Sequence, residues 1–307
     1  MVISFDIGGT TIRSAVARST ESIEPIRRQP TPTEDFDAFL ACLRQAIADA
    51  GEAPAYIAIS IAGVLDPESG RAICANISCI HGRRLKTELE QALGVHVIIA
   101  NDADCFAVAE ARVGAGKGHE IVFGAILGTG VGGGLVARGQ LVNANGGFAG
   151  EWGHAPVAAA YAGTPPVRVP AFQCGCGMKG CLDPIGSARG MERLHKALHD
   201  QDRSSMEIIA AWEEGDPSSA RTIDVLCDVL SAPLAMVVNV TGATIVPVGG
   251  GLSNAGSLIA ELDRRVRKQT LFAFKRPLVM PGACRDEPGL LGAALLGLER
   301  AARGASV

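Results

Sequence analysis

The sequence predicts an α/β protein made of two related domains. Short β-branched runs alternate with segments whose apolar residues recur every three or four positions, which is the pattern of strands alternating with helices. The chain has 307 residues, more than a single hydrophobic core usually serves. The order of elements at the N-terminus also repeats in the middle of the chain, which indicates an internal duplication.

The repeated feature is a strand, a glycine turn and a returning strand. Residues 2–7 and 11–17 form the first such pair, around Gly8-Gly9. The second pair consists of residues 121–127 and 132–138. Each pair opens one half of the chain, so two related domains with a cleft between them are expected.

Helices and strands are predicted for the rest of both domains. The expected boundaries are a small domain at 1–118, completed by a C-terminal helix at 290–307, and a large domain at 119–289. The small domain is predicted to contain a helix at 36–50, a strand at 56–61, a helix at 85–93, a strand at 95–100 and a helix at 103–113. The large domain is predicted to contain helices at 187–199, 206–212, 217–240 and 257–269, strands at 244–248 and 278–281, and a loop at 155–173. The apolar pattern of the last helix extends over residues 287–302.

Charge and composition argue against several classes of partner. The chain has 28 Lys and Arg against 32 Asp and Glu, a net charge of −4, and no basic block, so no nucleic-acid partner is expected. The N-terminus lacks the features of a secretory signal, and no apolar stretch free of glycine and charge approaches the roughly 20 residues that span a bilayer. We expect a cytoplasmic protein with no membrane partner and with reduced cysteines. The expected oligomeric state is a homodimer.

A cysteine knuckle lies at residues 174–181, which read Cys-Gly-Cys-Gly-Met-Lys-Gly-Cys. Its thiols, Cys174, Cys176 and Cys181, supply three ligands for a tetrahedral zinc, and His154 lies upstream as a candidate for the fourth. A closed set of four protein ligands is typical of a structural metal. The alternatives are three packed thiols in a loop, or a disulfide.

Glycine turns that follow predicted strands point to phosphate binding. In the first turn Asp6 ends the strand, Gly8 and Gly9 let backbone N–H groups approach an anion, and Thr10 adds a hydroxyl. The Asp6 carboxylate can also hold part of a Mg²⁺ shell. Taken alone, the motif is equally compatible with a plain hairpin turn.

The same signal occurs twice more. The run Gly128-Thr129-Gly130-Val131-Gly132-Gly133-Gly134 opens the second half, and two such turns can clamp a polyphosphate from both sides. A third run, Gly249-Gly250-Gly251 followed by Asn254, lies between a strand and a helix, where a glycine backbone can lie against a flat ring such as adenine. Ordinary turns remain the alternative for both runs.

Carboxylates near strand ends are candidates for acid–base chemistry. Asp102, preceded by Asn101, opens a predicted helix, so it is either a simple N-cap or a base that accepts the proton of a substrate hydroxyl during phosphoryl transfer. Glu151 and His154 are three residues apart and share one face of a helical turn. One ring nitrogen of His154 can bind zinc while the other meets a carboxylate or ligand. The alternative for Glu151 is a solvated carboxylate.

Taken together, these motifs resemble the ROK family, named for repressors, open reading frames and sugar kinases. The resemblance covers nearly the whole chain and includes, in order, residues 6–10, 101–103, 127–134 and 149–154, the cysteine knuckle and residues 249–254. It implies an actin-like, ribonuclease-H-like two-domain fold with ATP in an interdomain cleft. It also implies Mg-ATP as the phosphoryl donor and a structural zinc.

The resemblance further implies a role for each motif residue. Asp102 matches the catalytic base, and the positions matching the sugar site are Asn76, Asn101, Glu151 and His154, with Asp183 where the family usually has a sugar-contacting Glu. The positions matching the nucleotide site are Asp6, Gly8, Gly9, Thr10, Thr11, Gly128 to Gly134, Gly249, Gly250, Gly251 and Asn254. The positions matching the zinc ligands are His154, Cys174, Cys176 and Cys181.

Several segments look most like bacterial N-acetyl-D-glucosamine kinases, which implies phosphorylation of that sugar at its 6-hydroxyl. No Trp follows Asn76, which leaves space for an acetamido group, whereas Trp152 and residues 143–147 look more like hexose or fructose kinases. Glucose, fructose and N-acetylmannosamine are therefore alternative acceptors. A sugar-responsive regulator without kinase activity is the alternative of a different class. Regulators of this family carry a DNA-binding domain ahead of the kinase-like part, and a phosphate motif beginning at Asp6 is expected to leave no room for one.

Overall fold

The computed structural model describes residues 1–156 and 160–304, which form two compact units. Unit 1 comprises Met1–Ala109, Gln140–Ala149 and Cys284–Val307, and unit 2 comprises Glu110–Gly139 and Gly150–Ala283. Residues 157–159 of the predicted loop and residues 305–307 of the predicted C-terminal helix lie outside the described residues.

The elements alternate along the chain, as expected for the α/β class. Up to Arg112 they are β1 Val2–Ile7, β2 Thr11–Ala17, β3 Ile23–Pro30, α1 Phe36–Asp49, β4 Tyr56–Ile61, β5 Val64–Leu65, β6 Ala72–Ile73, α2 Leu85–Leu93, β7 His96–Asn101 and α3 Asp102–Arg112. The remainder are β8 Ile121–Leu127, β9 Val131–Ala137, β10 Gln140–Leu141, β11 Tyr161–Ala162, β12 Val167–Arg168, α4 Asp183–Gly186, α5 Ala188–His199, α6 Ser205–Glu213, α7 Pro217–Thr241, β13 Val246–Gly249, α8 Gly256–Gln269, β14 Val279–Pro281 and α9 Pro288–Gly304.

Unit 1 is built on a sheet with strand order β3-β2-β1-β4-β7. Strand β2 runs antiparallel to β1, whereas β4 and β7 run parallel to it, with Asp6 opposite Ser60 and Ile61 opposite Asn101. Because parallel strands end at the same edge of a sheet, these polar residues gather at one edge.

Helices cover this sheet through close apolar contacts. Phe39 and Leu43 of α1 are fully buried with the strand residues, and α1 begins where the Asp35 carboxylate accepts the N–H groups of residues 37 and 38. Helix α9 lies near β1 and α3, since a Cβ on Gly297 would be 2.5 Å from a Val2 methyl and one on Gly292 would be 1.9 Å from the Cys105 carbonyl oxygen. Only glycine permits such an approach of α9.

Unit 2 repeats this arrangement. Its strands lie in the order β9-β8-β13-β14, with β9 antiparallel to β8 and with β13 and β14 parallel to it. Helices α5 to α8 bury their apolar faces in one core with this sheet. Helix α7 is long and apolar enough, by length and composition alone, to cross a membrane, although Arg221, Asp224 and Asp228 interrupt its apolar sequence. Its Leu226, Leu230 and Leu234 are buried in the core of unit 2, as in a core helix.

Several features differ from the sequence prediction, including the short elements β5, β6, β10 and α4. Strand β3 was not predicted because most of its side chains are at least partly exposed and give no alternation, so its pairing with β2 defines it. The predicted loop at 155–173 contains the hairpin β11-β12. The first segment of unit 1 ends at Ala109 rather than 118, because Glu110 accepts the N–H groups of Ala115 and Gly116, which belong to unit 2. Unit 1 also includes Gln140–Ala149, where Asn143 donates a hydrogen bond to buried Asp104.

Candidate active site

The first glycine turn carries an ion-paired carboxylate. Asp6, at the carboxyl end of β1, accepts the Ser60 hydroxyl at 2.8 Å and lies 3.2 Å from Arg13 Nη1. Arg13 in turn lies 2.9 Å from Glu287 Oε1 through its Nε. Asp6 therefore keeps a fixed orientation while remaining partly exposed, as a carboxylate that faces a cation must.

The turn itself brings two predicted motifs together. Gly8 N donates to Thr11 O at 3.0 Å, the Thr31 hydroxyl donates to Gly8 O at 2.7 Å, and Thr10 is exposed. A Cβ on Gly9 would lie 3.0 Å from the Cβ of Asn76, so the absence of a side chain lets the turn approach Asn76. A predicted nucleotide residue and a predicted sugar residue are thus neighbours within unit 1.

Asn101 and Asp102 share the start of α3. The Asn101 amide donates to Gly63 O at 2.9 Å, and its oxygen accepts Ala103 N at 2.8 Å. Asp102 Oδ1 accepts the same N–H at 2.8 Å, and the residue is exposed. Because the Asn101 side chain already caps α3, the helix does not need the Asp102 carboxylate as its cap. This favours a functional role for Asp102 over simple capping.

The second glycine turn lies in unit 2, between β8 and β9. Its residues are Gly128, Thr129 and Gly130, closed by a bond from Gly128 N to Gly130 O at 3.0 Å. Val131 N donates to the carboxylate of Asp183 at 2.7 Å, so this amide of the predicted phosphate motif is already engaged. Gly132, Gly133 and Gly134 belong to β9 rather than to the turn.

The third glycine run packs against the second turn. Gly249 of β13 pairs with Ile126 of β8, so both strands end at the same edge. Gly250 has a φ of 84°, and a Cβ there would lie 2.5 Å from Leu127 O. After it, residues 251–254 form a 3₁₀ turn with Asn254 exposed, where the sequence predicted only a turn before a helix. The two predicted nucleotide runs of unit 2 are therefore adjacent.

The segment from Gly150 to His154 lies on β9. The Trp152 indole donates to Gly132 O at 2.7 Å, and a Cβ on Gly153 would be 2.2 Å from Val131 O. Glu151 Oε2 is 3.7 Å from His154 Nε2, and burial raises the pKa of the Glu151 carboxyl, against the lowering effect of His154. Sequence reasoning did not predict that the glycines of β9 serve this packing.

The cysteine knuckle brings its four predicted ligands together. The ligand atoms of His154, Cys174, Cys176 and Cys181 all lie within 4.8 Å of one another. Cys174 Sγ is 3.6 Å from His154 Nδ1, and Cys176 Sγ is 3.7 Å from Cys181 Sγ, too far apart for a disulfide. A tetrahedron with Zn–S bonds of about 2.3 Å and a Zn–N bond of about 2.0 Å has edges of about 3.8 and 3.5 Å. The residues present therefore fit a zinc ion.

The orientation of His154 and the acidity of one thiol also suit a metal, whereas burial raises the pKa of the other two thiols, Cys174 and Cys181. A hydrogen bond from the Met178 backbone N–H lowers the pKa of Cys176 to about 7, which favours the thiolate. His154 turns Nδ1 to Cys174 and Nε2 to Glu151, which is how a metal-bound imidazole is commonly held by a carboxylate.

A separate cavity of about 330 Å³ lies in unit 1 along β7 and the end of α9. The described residues that line it include Tyr56, His96 and Arg300, and none belongs to the predicted site.

The sequence analysis did not identify some residues that contact the predicted site. Of these, Arg13 could have been found from the hairpin register, which places it opposite Asp6.

Comparison with known proteins agrees with this arrangement. An N-acetyl-D-glucosamine kinase of Salmonella heidelberg is 33% identical over 97% of this chain and 99% of its own length. The solved structure of a ROK hexokinase from Thermus thermophilus has a TM-score of 0.83 and 27% identity, covering 99% of both chains. A ROK family glucokinase from Streptomyces griseus, in complex with glucose and AMPPNP, has a TM-score of 0.74 and 27% identity, covering 97% of this chain and 99% of its own.

The family resemblance and the actin-like fold expected from the motifs are both confirmed. The profile of the ROK family matches residues 2–300, which includes both glycine turns, the Asp102 helix and the cysteine knuckle. The chain therefore belongs to the ROK family.

Proposed function

We propose that this chain transfers the γ-phosphoryl group of Mg-ATP to the 6-hydroxyl of N-acetyl-D-glucosamine. The observation that carries the proposal is that curated kinases for this sugar align with 97% of the chain at 33% identity. The position of Asp102 also supports phosphoryl transfer, because its exposed carboxylate lies at the carboxyl edge of a parallel sheet, where ligands commonly bind.

In this proposal Asp102 is the general base. Phosphoryl transfer requires an aligned hydroxyl whose proton is accepted as the new bond forms, and a fixed, exposed carboxylate can do both. Asn101 holds the sugar beside it, since its own side chain is fixed by Gly63 and Ala103. Asn76, Glu151 and His154 are proposed as the other sugar contacts.

The glycine turns are proposed to hold the nucleotide. The residues of unit 1 proposed to contact the phosphates are Gly8, Gly9, Thr10 and Thr11. The residues of unit 2 proposed to contact ATP are Gly128 to Gly134, Gly249 to Gly251 and Asn254. Asp6 is the residue that would hold the magnesium of Mg-ATP, directly or through water. When bound, the magnesium neutralises phosphate charge.

We propose that zinc occupies the cysteine knuckle in a structural role. The ligand distances suit a tetrahedral ion with four protein ligands, which leaves no open position for a substrate. The ion would fix His154 and, through it, Glu151. A homodimer is also proposed, which light scattering of the purified protein would test.

The decisive experiment is a panel of hexoses with Mg-ATP, coupled to ADP release. N-acetyl-D-glucosamine should give a higher kcat/KM than glucose, fructose or N-acetylmannosamine. If glucose or fructose is turned over equally well, the choice of sugar is wrong while the kinase assignment stands. If no sugar supports ADP release although sugars bind, the regulator is the better interpretation.

A further inference from the structure

We propose that Asp183 is a positioning residue that fixes the second glycine turn and joins the phosphate-facing and sugar-facing segments of unit 2 into one assembly. The inference rests on the proposed kinase function. It gives Asp183 a task at the nucleotide end, whereas the family resemblance implies a sugar contact.

The contact that carries the inference is short and charge-assisted. Asp183 Oδ1 lies 2.7 Å from Val131 N, the first amide after the turn. The same oxygen would lie 2.7 Å from a Cβ on Gly130, so the carboxylate fills the space above the turn. Gly130 and Asp183 are therefore matched to each other.

The segment that carries Asp183 is itself fixed. Leu182 and Pro184, on either side, are buried, and Leu182 N donates to Ala155 O at 3.0 Å. Five residues after Asp183, Ala188 N donates to Gly128 O at 2.8 Å. One segment thus holds the turn at both ends, at Gly128 and at Val131.

The opposite face of the same residues contacts the sugar-facing segment. Val131 donates its N–H to Asp183, while its carbonyl oxygen lies 2.2 Å from where a Cβ on Gly153 would be. The next residue, Gly132, accepts the Trp152 indole at 2.7 Å. Because these contacts leave almost no free space, a shift of Val131 must also shift the backbone between Glu151 and His154.

The chemistry predicts how substitutions at Asp183 behave. Asp183→Ala removes the acceptor and leaves the turn held at Gly128 only. Asp183→Asn keeps an oxygen that can accept the Val131 N–H, and Asp183→Glu adds a methylene group to a carboxylate that already lies within 2.7 Å of its partner. We therefore expect Asp183→Ala and Asp183→Glu to disturb the turn most, and Asp183→Asn to disturb it least.

Two measurements test the proposal. Calorimetry with Mg-AMPPNP and, separately, with N-acetyl-D-glucosamine should show that Asp183→Ala raises the Kd for the nucleotide about tenfold. The Kd for the sugar should rise by a smaller factor, because the sugar-facing backbone shifts only through Val131. Asp183→Asn should restore most of the nucleotide affinity. Asp202→Ala, which removes an exposed carboxylate of the same unit, is the matched control.

Hydrogen exchange separates this proposal from the kinase function. The peptide covering residues 128–134 should exchange faster in Asp183→Ala than in wild type or in Asp183→Asn, whether or not any nucleotide binds. Unchanged exchange, or a loss of sugar affinity with normal nucleotide affinity, would overturn the positioning role. Failure of the wild type to bind AMPPNP would overturn the kinase function and leave the exchange result to decide the role of Asp183 in holding the turn.

Discussion

The first and second glycine turns connect the strands of equivalent hairpins, but the carboxylate beside each turn has a different role. In unit 1 the carboxylate is Asp6, supplied by the strand that enters the turn and held by Ser60 and Arg13. In unit 2 the carboxylate is Asp183, which lies 52 residues after Val131 and bonds to the backbone of the turn. The duplicated hairpin therefore presents its acid outward in one unit and uses an acid for its own support in the other.

This difference extends to the two units as a whole. The described part of unit 1 places exposed or partly exposed acids, Asp6 and Asp102, at the edge of its sheet. Unit 2 packs its glycine runs, the segment at Trp152 and the cysteine knuckle against one another. We therefore expect substitutions in unit 1 to change the rate of the reaction and those in unit 2 to change binding and stability.

The largest effect is expected at Asp102. Asp102→Asn keeps the size of the side chain, and Asn101 still caps α3, so folding should survive. Loss of proton acceptance should lower kcat about 10²- to 10⁴-fold, while the Kd for sugar changes little. Steady-state kinetics and calorimetry on the folded variant measure both quantities, with Asp37→Asn as an exposed control on α1. Near wild-type turnover would mean that Asp102 only helps to begin its helix.

The next effect is expected at Asp6. In Asp6→Asn the amide oxygen can still accept the Ser60 hydroxyl, but the ion pair with Arg13 is lost and the proposed support for magnesium is weakened. Activity should fall about 10- to 100-fold and recover in part at high Mg²⁺. A magnesium titration of ADP release measures this recovery, and Glu287→Gln is the control, since it removes the other partner of Arg13. A Mg²⁺ profile identical to that of wild type would remove Asp6 from the metal site.

Loss of zinc from the cysteine knuckle should lower the thermal stability of the protein and its affinity for substrates. Protein purified without added zinc should contain about one zinc per chain, and Cys181→Ser should lose it, with a Tm lower by roughly 5–10 °C. Sugar affinity should fall because Glu151 loses its fixed neighbour, and nucleotide affinity should fall too, because Cys181 leads directly to Asp183. Metal analysis and thermal unfolding test this, with Cys42→Ser as the control. Zinc-free protein of normal stability would contradict the proposal.

Sequence patterns predicted what is local and missed what depends on distant contacts. Strands such as Tyr56–Ile61 and helices such as Leu85–Leu93 were predicted with their observed bounds, because apolar period and terminal glycines define them. The cysteine knuckle was predicted because its three thiols are close in sequence. The bond between Asp183 and Val131 was not, since it joins elements far apart in the chain. The assignment of residues 140–149 to unit 1 was missed for the same reason, since it depends on buried Asp104 and Asn143.

The smallest expected effect is a loss of stability at acidic pH, and we expect it in unit 2. Burial lowers the pKa of His195 and of His199, and His195 is fully buried with its Nδ1 2.8 Å from the Thr222 hydroxyl. Above the unfolded-state pKa of about 6.5 both states are neutral and the full stability is present. As the pH falls below that value the unfolded chain takes up protons first, so the free energy of unfolding decreases until the lower folded-state pKa is passed.

Tryptophan fluorescence can follow this loss in unit 2 alone, because both tryptophans of the chain, Trp152 and Trp212, lie in that unit. Urea unfolding should give a lower midpoint at pH 5.5 than at pH 7.5, and His195→Gln should reduce the difference. His96→Gln, which removes an exposed imidazole from unit 1, should leave it unchanged. If His195→Gln keeps the full pH dependence, the acid sensitivity of unit 2 has another source, and the contrast between the two units then does not extend to pH.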